Sequence, residues 1–139
     1  GKAYPNIHLD IQEQVCSSNL DNNKIDIAFL YGSGVWRDMT SIKLFPEQCV
    51  AVCAPDLINE PFKSLEEFRG HVLIQSQSRP RAWDEYFLLQ SSTNENNFIG
   101  PRLETFYASI HAALTSCGIA LIPEFLVEKE LNSGELIRA

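Results

Sequence analysis

Two hydrophobic periods alternate along the chain, and they are clearest between Phe98 and Pro123 in the stretch FIGPRLETFYASIHAALTSCGIALIP. Phe98 to Leu103 reads as a short extended segment. Phe106, Ile110, Ala113, Leu114 and Cys117 then fall at i, i+4, i+7, i+8 and i+11, one face of an α-helix. Gly118 follows that face as a helix C-terminal residue. Ile119 to Ile122 is a continuous apolar run, as in a strand covered on both sides, and Pro123 ends it. A strand, a crossover helix and a strand of this length predict a parallel unit. Ligands in such sheets sit beyond the carboxyl ends of the strands, near helix N-termini. Glu104, Thr105, Phe106 and Tyr107 occupy that place.

The remaining pattern extends this picture in both directions. Ile7, Leu9 and Ile11 alternate with polar residues and predict a half-buried strand. Ile25 to Tyr31 predicts a second strand, stopped by Gly32-Ser33-Gly34, which is either a simple turn or a loop lining a cleft. Met39 to Phe45 and Cys49 to Ala54 flank Pro46-Glu47 as a hairpin-like pair or consecutive strands. Ser64-Leu65-Glu66-Glu67 is a capping box that opens a short helix ending at Gly70. Val72 to Gln75 predicts a buried strand, and Arg81 to Leu89 a helix carrying Trp83, Tyr86 and Phe87 as core residues. Ser91 to Asn97 reads as a surface turn. Glu124 to Leu131 predicts a last amphipathic helix ended by Asn132-Ser133-Gly134. Strands alternating with helices define an α/β protein. The segment from Met39 to Pro55 reads as a crossing between two lobes. Both ends read as cuts within a longer polypeptide, because Leu136 to Ala139 stops as another strand begins.

Composition narrows the function. The chain has 139 residues, 45% hydrophobic and 10% aromatic, enough for one ordinary domain or two small lobes. No apolar run approaches the roughly 18 residues of a membrane helix, and no signal peptide pattern opens the chain. The net charge is −7, and the 11 basic residues are scattered, which speaks against nucleic-acid binding by this stretch itself. Cys49 and Cys53 lie four apart in a strand-like run, roughly 13 Å along one face, too far for a disulfide. With Cys16 and Cys117 they read as free thiols of a reducing cytoplasm, and no CxxC or paired histidine suggests zinc.

Candidate chemistry points to binding rather than catalysis. No GxSxG, P-loop, HExxH or GxGxxG motif occurs. His8, His71 and His111 are far apart, and Asp26, Asp84, Glu85 and Glu104 have no partner at catalytic spacing. Gln77 and Ser78 follow one strand, Thr105 and Phe106 another, and Tyr31 and Gly32 a third. If the lobes face each other, these groups converge on one crevice. Helix N-termini there offer N–H groups and a positive dipole end to a carboxylate. Ser78 and Thr105 hydroxyls either contact the ligand or cap the helices. Arg79 and Arg81 offer bidentate pairing to an anion, or serve as ordinary surface salt bridges.

The same segments carry a family resemblance. YPNIHLDI, IDIAFLYGSGVW, LFPEQCVAVCAPDL, HVLIQSQSRPRAWDEYF and GPRLETFYASIHAALTSCGIALIPEFLVEKELNSGELIRA, in this order and spacing, resemble the effector-binding domain of LysR-type transcriptional regulators, in the glycine-cleavage-activator subgroup. The resemblance covers nearly the whole chain. It implies two Rossmann-like subdomains of the type II periplasmic-binding-protein kind, joined by two crossing strands and truncated here at both ends. On that reading residues 1–54 hold part of the first subdomain and a crossover, 55–132 the second subdomain, and 133–139 the start of the return crossover. It also implies a cytoplasmic bacterial regulator without enzymatic activity or cofactor. Its partners would be a small, carboxylate-bearing effector, copies of itself in a dimer or tetramer, and DNA through a winged helix-turn-helix absent from this sequence. Carried over by position, the effector contacts fall at Glu13 or Gln14, at Tyr31 and Gly32, at Gln77 and Ser78, and at Thr105 and Phe106. The alternative is a solute-binding receptor of a transport system, which shares the two-lobed shape but predicts an export signal and commonly disulfides.

Overall fold

The computed structural model describes residues 3–12, 25–32, 34–90 and 100–139. The chain divides into two compact units, residues 1–31 and 32–139. The second holds the regular structure. Its strands are β1 (Cys49–Cys53), β2 (Leu73–Ser76), β3 (Arg102–Leu103), β4 (Ile119–Pro123) and β5 (Ile137–Arg138), and its helices are α1 (Ala82–Gln90), α2 (Phe106–Leu114) and α3 (Glu128–Ser133). They form one sheet in the order β3-β2-β4-β1-β5. β2 runs parallel to both β3 and β4, and β1 runs antiparallel to β4 and β5. The central run is therefore strand β4, paired on both edges, as its continuous apolar sequence requires.

Residue parity along the strands sorts the core into two layers. Ala51, Cys53, Leu73, Ile119 and Leu121 point to one face, where Trp83 and Phe87 of α1 join Ile58 and Phe68. Val52, Ile74, Ala120 and Ile122 point to the other, where Ala113 of α2 joins Val127 and Leu136. Successive strand side chains alternate between faces, so a strand with helices on both sides needs an apolar residue at every position. Helices α1 and α2 thus cover opposite faces. On the α1 face, aromatic rings pack edge to face around Phe68, and the Trp83 indole N–H donates to the Ile74 carbonyl at 2.9 Å. That bond satisfies the polar end of a ring that is otherwise core.

Several boundaries differ from the sequence expectation. Helix α2 stops at Leu114, one turn short of Cys117. Ser116, at φ 59°, is the left-handed residue of the helix end. Ser116 N–H donates to Ala113 O at 3.1 Å and Cys117 N–H to Ala112 O at 2.9 Å, the two bonds of a Schellman ending. Gly118 is needed instead for a close approach, since a Cβ there would lie 2.5 Å from the Val72 carbonyl oxygen. The last predicted helix is broken at Val127 into a 3-10 turn, Glu124–Leu126, and α3. Ser64 to Glu67 does open a helical turn, a 3-10 one over Leu65–Phe68, with the Glu67 carboxylate accepting from the Ser64 N–H at 2.9 Å.

Three predicted strands are not strands. Residues 7–11, 25–31 and 39–45 have no ladder partner among the described residues. Most of their apolar side chains are exposed, with Ile11 at 85%, Phe29 at 82% and Ile42 at 82%. Period-2 alternation specifies which side chains share a face, but it supplies no partner backbone. Cys49–Cys53 does form a strand. Its partners are β4 and β5 rather than the segment before Pro46, so the hairpin expectation is corrected.

Candidate functional site

The connections around β2 set the geometry. The chain leaves β2 for α1 on one face, returns as β3 at the sheet edge, then leaves for α2 on the opposite face before entering β4 on β2's other side. Adjacent parallel strands whose following loops diverge to opposite faces leave a crevice at their carboxyl ends. One wall is the loop Gln77–Arg81, the other Glu104–Phe106. Cys49 pairs with Pro123 at the end of β4. The start of β1, with Glu47 just before it, therefore lies at the same end of the sheet.

On the first wall, the Gln77 N–H donates to Leu103 O at 2.8 Å and the Arg79 N–H to Ser76 O at 3.2 Å, closing a tight turn. Gln77 itself is exposed, whereas Ser78 is half-buried and shares a 2.9 Å hydroxyl contact with the buried Ser76. On the second wall, Thr105 has an extended backbone and is the N-cap of α2. Its hydroxyl accepts from the Ala108 N–H at 3.2 Å. The buried Ser109 hydroxyl donates to the Thr105 carbonyl at 3.2 Å. Phe106 starts the helix and packs on the α2-side core.

Arg79 joins the walls. Its guanidinium lies 5.6 Å from the Phe106 ring centroid, within cation–π range. Nη1 donates to Ser78 O at 3.1 Å, and Nη2 pairs with Glu47 Oε2 at 3.4 Å. Both side chains are largely buried, 18% and 16% exposed, so Arg79 is not a surface salt bridge. Arg81 is exposed. Cys49 Sγ sits 3.9 Å from Glu47 Oε1. Burial first, then the Glu47 charge, pushes the Cys49 thiol up to about 11 from its ordinary 9.0, against a smaller opposing effect of Arg79. Burial and Asp56 push the Cys53 thiol up to about 11 as well. Both sulfurs are thus protonated at neutral pH and poor nucleophiles.

Of the residues singled out from sequence, Gln77 and Ser78 lie in the loop after β2, and Thr105 and Phe106 in the loop after β3 and the start of α2; the side-chain contact described between the two loops is that of Arg79 with Phe106. Gln14, with Glu13, lies outside the described residues. Tyr31 belongs to the first unit and is exposed. Gly32 belongs to the second and faces the Trp36 ring, 3.1 Å from where a Cβ would stand. Glu47 and Ser76 were not anticipated. Glu47 is 32 positions from Arg79, and no local pattern links residues so distant. Among the described residues no cluster of His, Cys, Asp or Glu could hold a metal, and no helix is long and apolar enough to cross a membrane.

The two strand-end loops of this sheet, Gln77–Arg81 and Glu104–Phe106, are thus joined by the contact of Arg79 with the Phe106 ring, the arrangement of an α/β sheet whose carboxyl ends are free to hold a ligand. The chain belongs to the LysR substrate-binding domain family, whose model matches residues 1–139. It is similar to the glycine cleavage system transcriptional activator of Escherichia coli K12, 29% identical over 137 residues, covering 97% of this chain and 45% of the relative. The HTH-type transcriptional regulator PerR of the same organism is 27% identical over 136 residues, covering 98% of this chain and 45% of the relative. The chain therefore spans about half the length of the curated relatives it matches. Its fold resembles a Citrobacter freundii effector-binding domain carrying three substitutions, with a TM-score of 0.73 at 18% identity over 99% of this chain and 69% of that one. It also resembles full-length AphB of Vibrio cholerae, with a TM-score of 0.68 at 20% identity over 99% of this chain and 48% of that one. The fold class is thus mixed α/β of the type II periplasmic-binding kind, present in part. The named relatives are transcriptional regulators, and the comparisons give no support to a transport receptor.

Proposed function

We propose that this chain is the effector-sensing part of a longer cytoplasmic LysR-type transcriptional regulator, and that a small metabolite carrying a carboxylate binds at the crevice between β2 and β3. The observation that carries this reading is the pairing of the α2 N-terminus, capped by Thr105, with the Ser78–Arg79 turn across diverging loops. Helix N–H groups and the dipole favour an anion, a guanidinium supplies forked donors, and hydroxyls adapt as donors or acceptors. Residues 1–54 are read as part of one lobe and its crossover, 55–132 as the other lobe, and 133–139 as a return crossover.

A ligand with unequal affinity for two lobe arrangements shifts their populations by that difference alone. The DNA-binding heads implied by the relatives' names, in a dimer or tetramer, would report the shift. Catalysis has no part in this reading, because the crevice needs only to bind. The test is calorimetry of the full-length protein against a panel of amino acids and organic acids. One carboxylate should bind, and Ser78→Ala should weaken it about tenfold, as the loss of one hydrogen bond to a charged group implies. Thr105→Val should weaken it similarly, while Thr105→Ser, which keeps both cap and hydroxyl, should bind as the parent does. Binding unchanged in both Ser78→Ala and Thr105→Val rejects the site.

A further inference from the structure

Among the described residues, two ion pairs that draw on the sheet's carboxyl end differ in a telling way. Arg138 Nη2 meets Glu124 Oε1 at 2.6 Å although both side chains are substantially exposed. Arg79 Nη2 meets Glu47 Oε2 at 3.4 Å although both are largely buried. Charge-assisted N–H···O bonds ordinarily close to about 2.8 Å and, for arginine with a carboxylate, to two parallel bonds. The sheltered pair makes one long contact, and the other Glu47 oxygen has the Cys49 thiol at 3.9 Å, a weak donor. A carboxylate withdrawn from water and held this loosely is poorly compensated.

We infer that Glu47 stands on Arg79 in the place of a ligand carboxylate, and that an anionic effector enters the crevice by exchange with it. The inference rests on the crevice reading above and adds a residue that belongs to neither wall. A free carboxylate can turn to meet the guanidinium fork squarely, which Glu47, tethered two residues before β1, does not. The Phe106 ring below holds the guanidinium while its carboxylate partner changes. Charge is conserved in the exchange: one carboxylate leaves the guanidinium as another arrives, and Glu47 is released toward solvent. The ligand class that follows is a monocarboxylate small enough to lie against Phe106. The exchange also gives occupancy a second reporter, the segment leading into β1.

The probe is sodium acetate, with acetamide as the neutral isostere and sodium chloride at equal ionic strength as reference. The readout is two-dimensional 15N NMR of the chain, following the Arg79 Nε–H and the amides of residues 105–108. Acetate should move both sets and acetamide neither. Glu47→Gln, which removes the competing charge, should tighten acetate about fivefold, the effect of releasing a modest ion pair. Glu47→Asp, too short to reach Nη2, should tighten it too and serves if the glutamine variant does not fold. Arg79→Gln should abolish the response at Phe106. Acetate affinity unchanged or weakened in both Glu47 variants overturns the exchange. If the 105–108 amides still shift in that case, the crevice reading survives it. No shift in the parent or in either variant overturns both.

Discussion

Gly100 shows how much one atom can decide. A Cβ at this position would stand 1.8 Å from the Leu73 carbonyl oxygen, inside the region where β3 lies against β2. Backbone cannot yield as a flexible side chain can, so Gly100→Ala should destabilise the chain by about 3 kcal/mol or more in urea melts. Gly134→Ala, at the end of α3 with open space around it, should cost only the left-handed strain, about 1 kcal/mol. Cys49 and Cys53 carry a pH prediction. Their thiols titrate near 11 in the folded chain and near 9.0 when unfolded. The protonated form is favoured by folding, so that contribution is complete below pH 9 and is lost as pH rises toward 11. Stability measured by denaturant titration should therefore fall across that window, and Cys53→Ala should flatten part of the fall. Glu47→Gln should lower the Cys49 value, because Glu47 is the second largest cause of its elevation. The rate of Cys49 alkylation against pH, with Cys16 and Cys117 changed to serine, reads this directly.

Elements follow the sequence where both faces of a segment are specified. The run Ile119–Ile122 needs apolar cover above and below, and only a central strand provides it. Trp83 and Phe87, four apart, commit α1 to one face, and Phe106, Ile110 and Ala113 commit α2 to the other. Trp83→Phe keeps most of the ring but orphans the Ile74 carbonyl that accepts its N–H. It should cost about 1–3 kcal/mol in a thermal melt, more than Tyr86→Phe at the half-buried neighbour. Boundaries were less legible than elements. The α2 helix ends at a serine in left-handed conformation because two backbone bonds secure the turn there, while the nearby glycine answers to Val72 across the sheet. Local sequence suggests glycine as the helix terminator, and the tertiary contact assigns it another task.

At the scale of the whole molecule, the second unit holds a sheet with two apolar layers, and the described residues of the first, 3–12 and 25–31, are mostly exposed, with strand-like alternation. Amides of β1, β2 and β4, held in the ladders of one sheet, should resist hydrogen exchange. Fast exchange in those strands would contradict the structure. The candidate site divides along the same line. Thr105 as a helix cap and Gln77-Ser78 after a strand were readable because each is a local feature of a strand end or helix start. Glu47 was not, because it reaches Arg79 across 32 residues only when β1 docks beside β4. By itself the amino-acid order determined which residues face the two layers, where α1 and α2 begin, and that the chain is of α/β type. Those properties follow from periodicity and capping, which act over a few residues. Only the tertiary structure decided that β1 pairs with β4 and β5 rather than with its upstream neighbour, that the loops after β2 and β3 lead to opposite faces of the sheet, and that Glu47 pairs with Arg79. Each of these joins groups far apart in sequence, and such contacts exist only once the sheet has chosen its strand order.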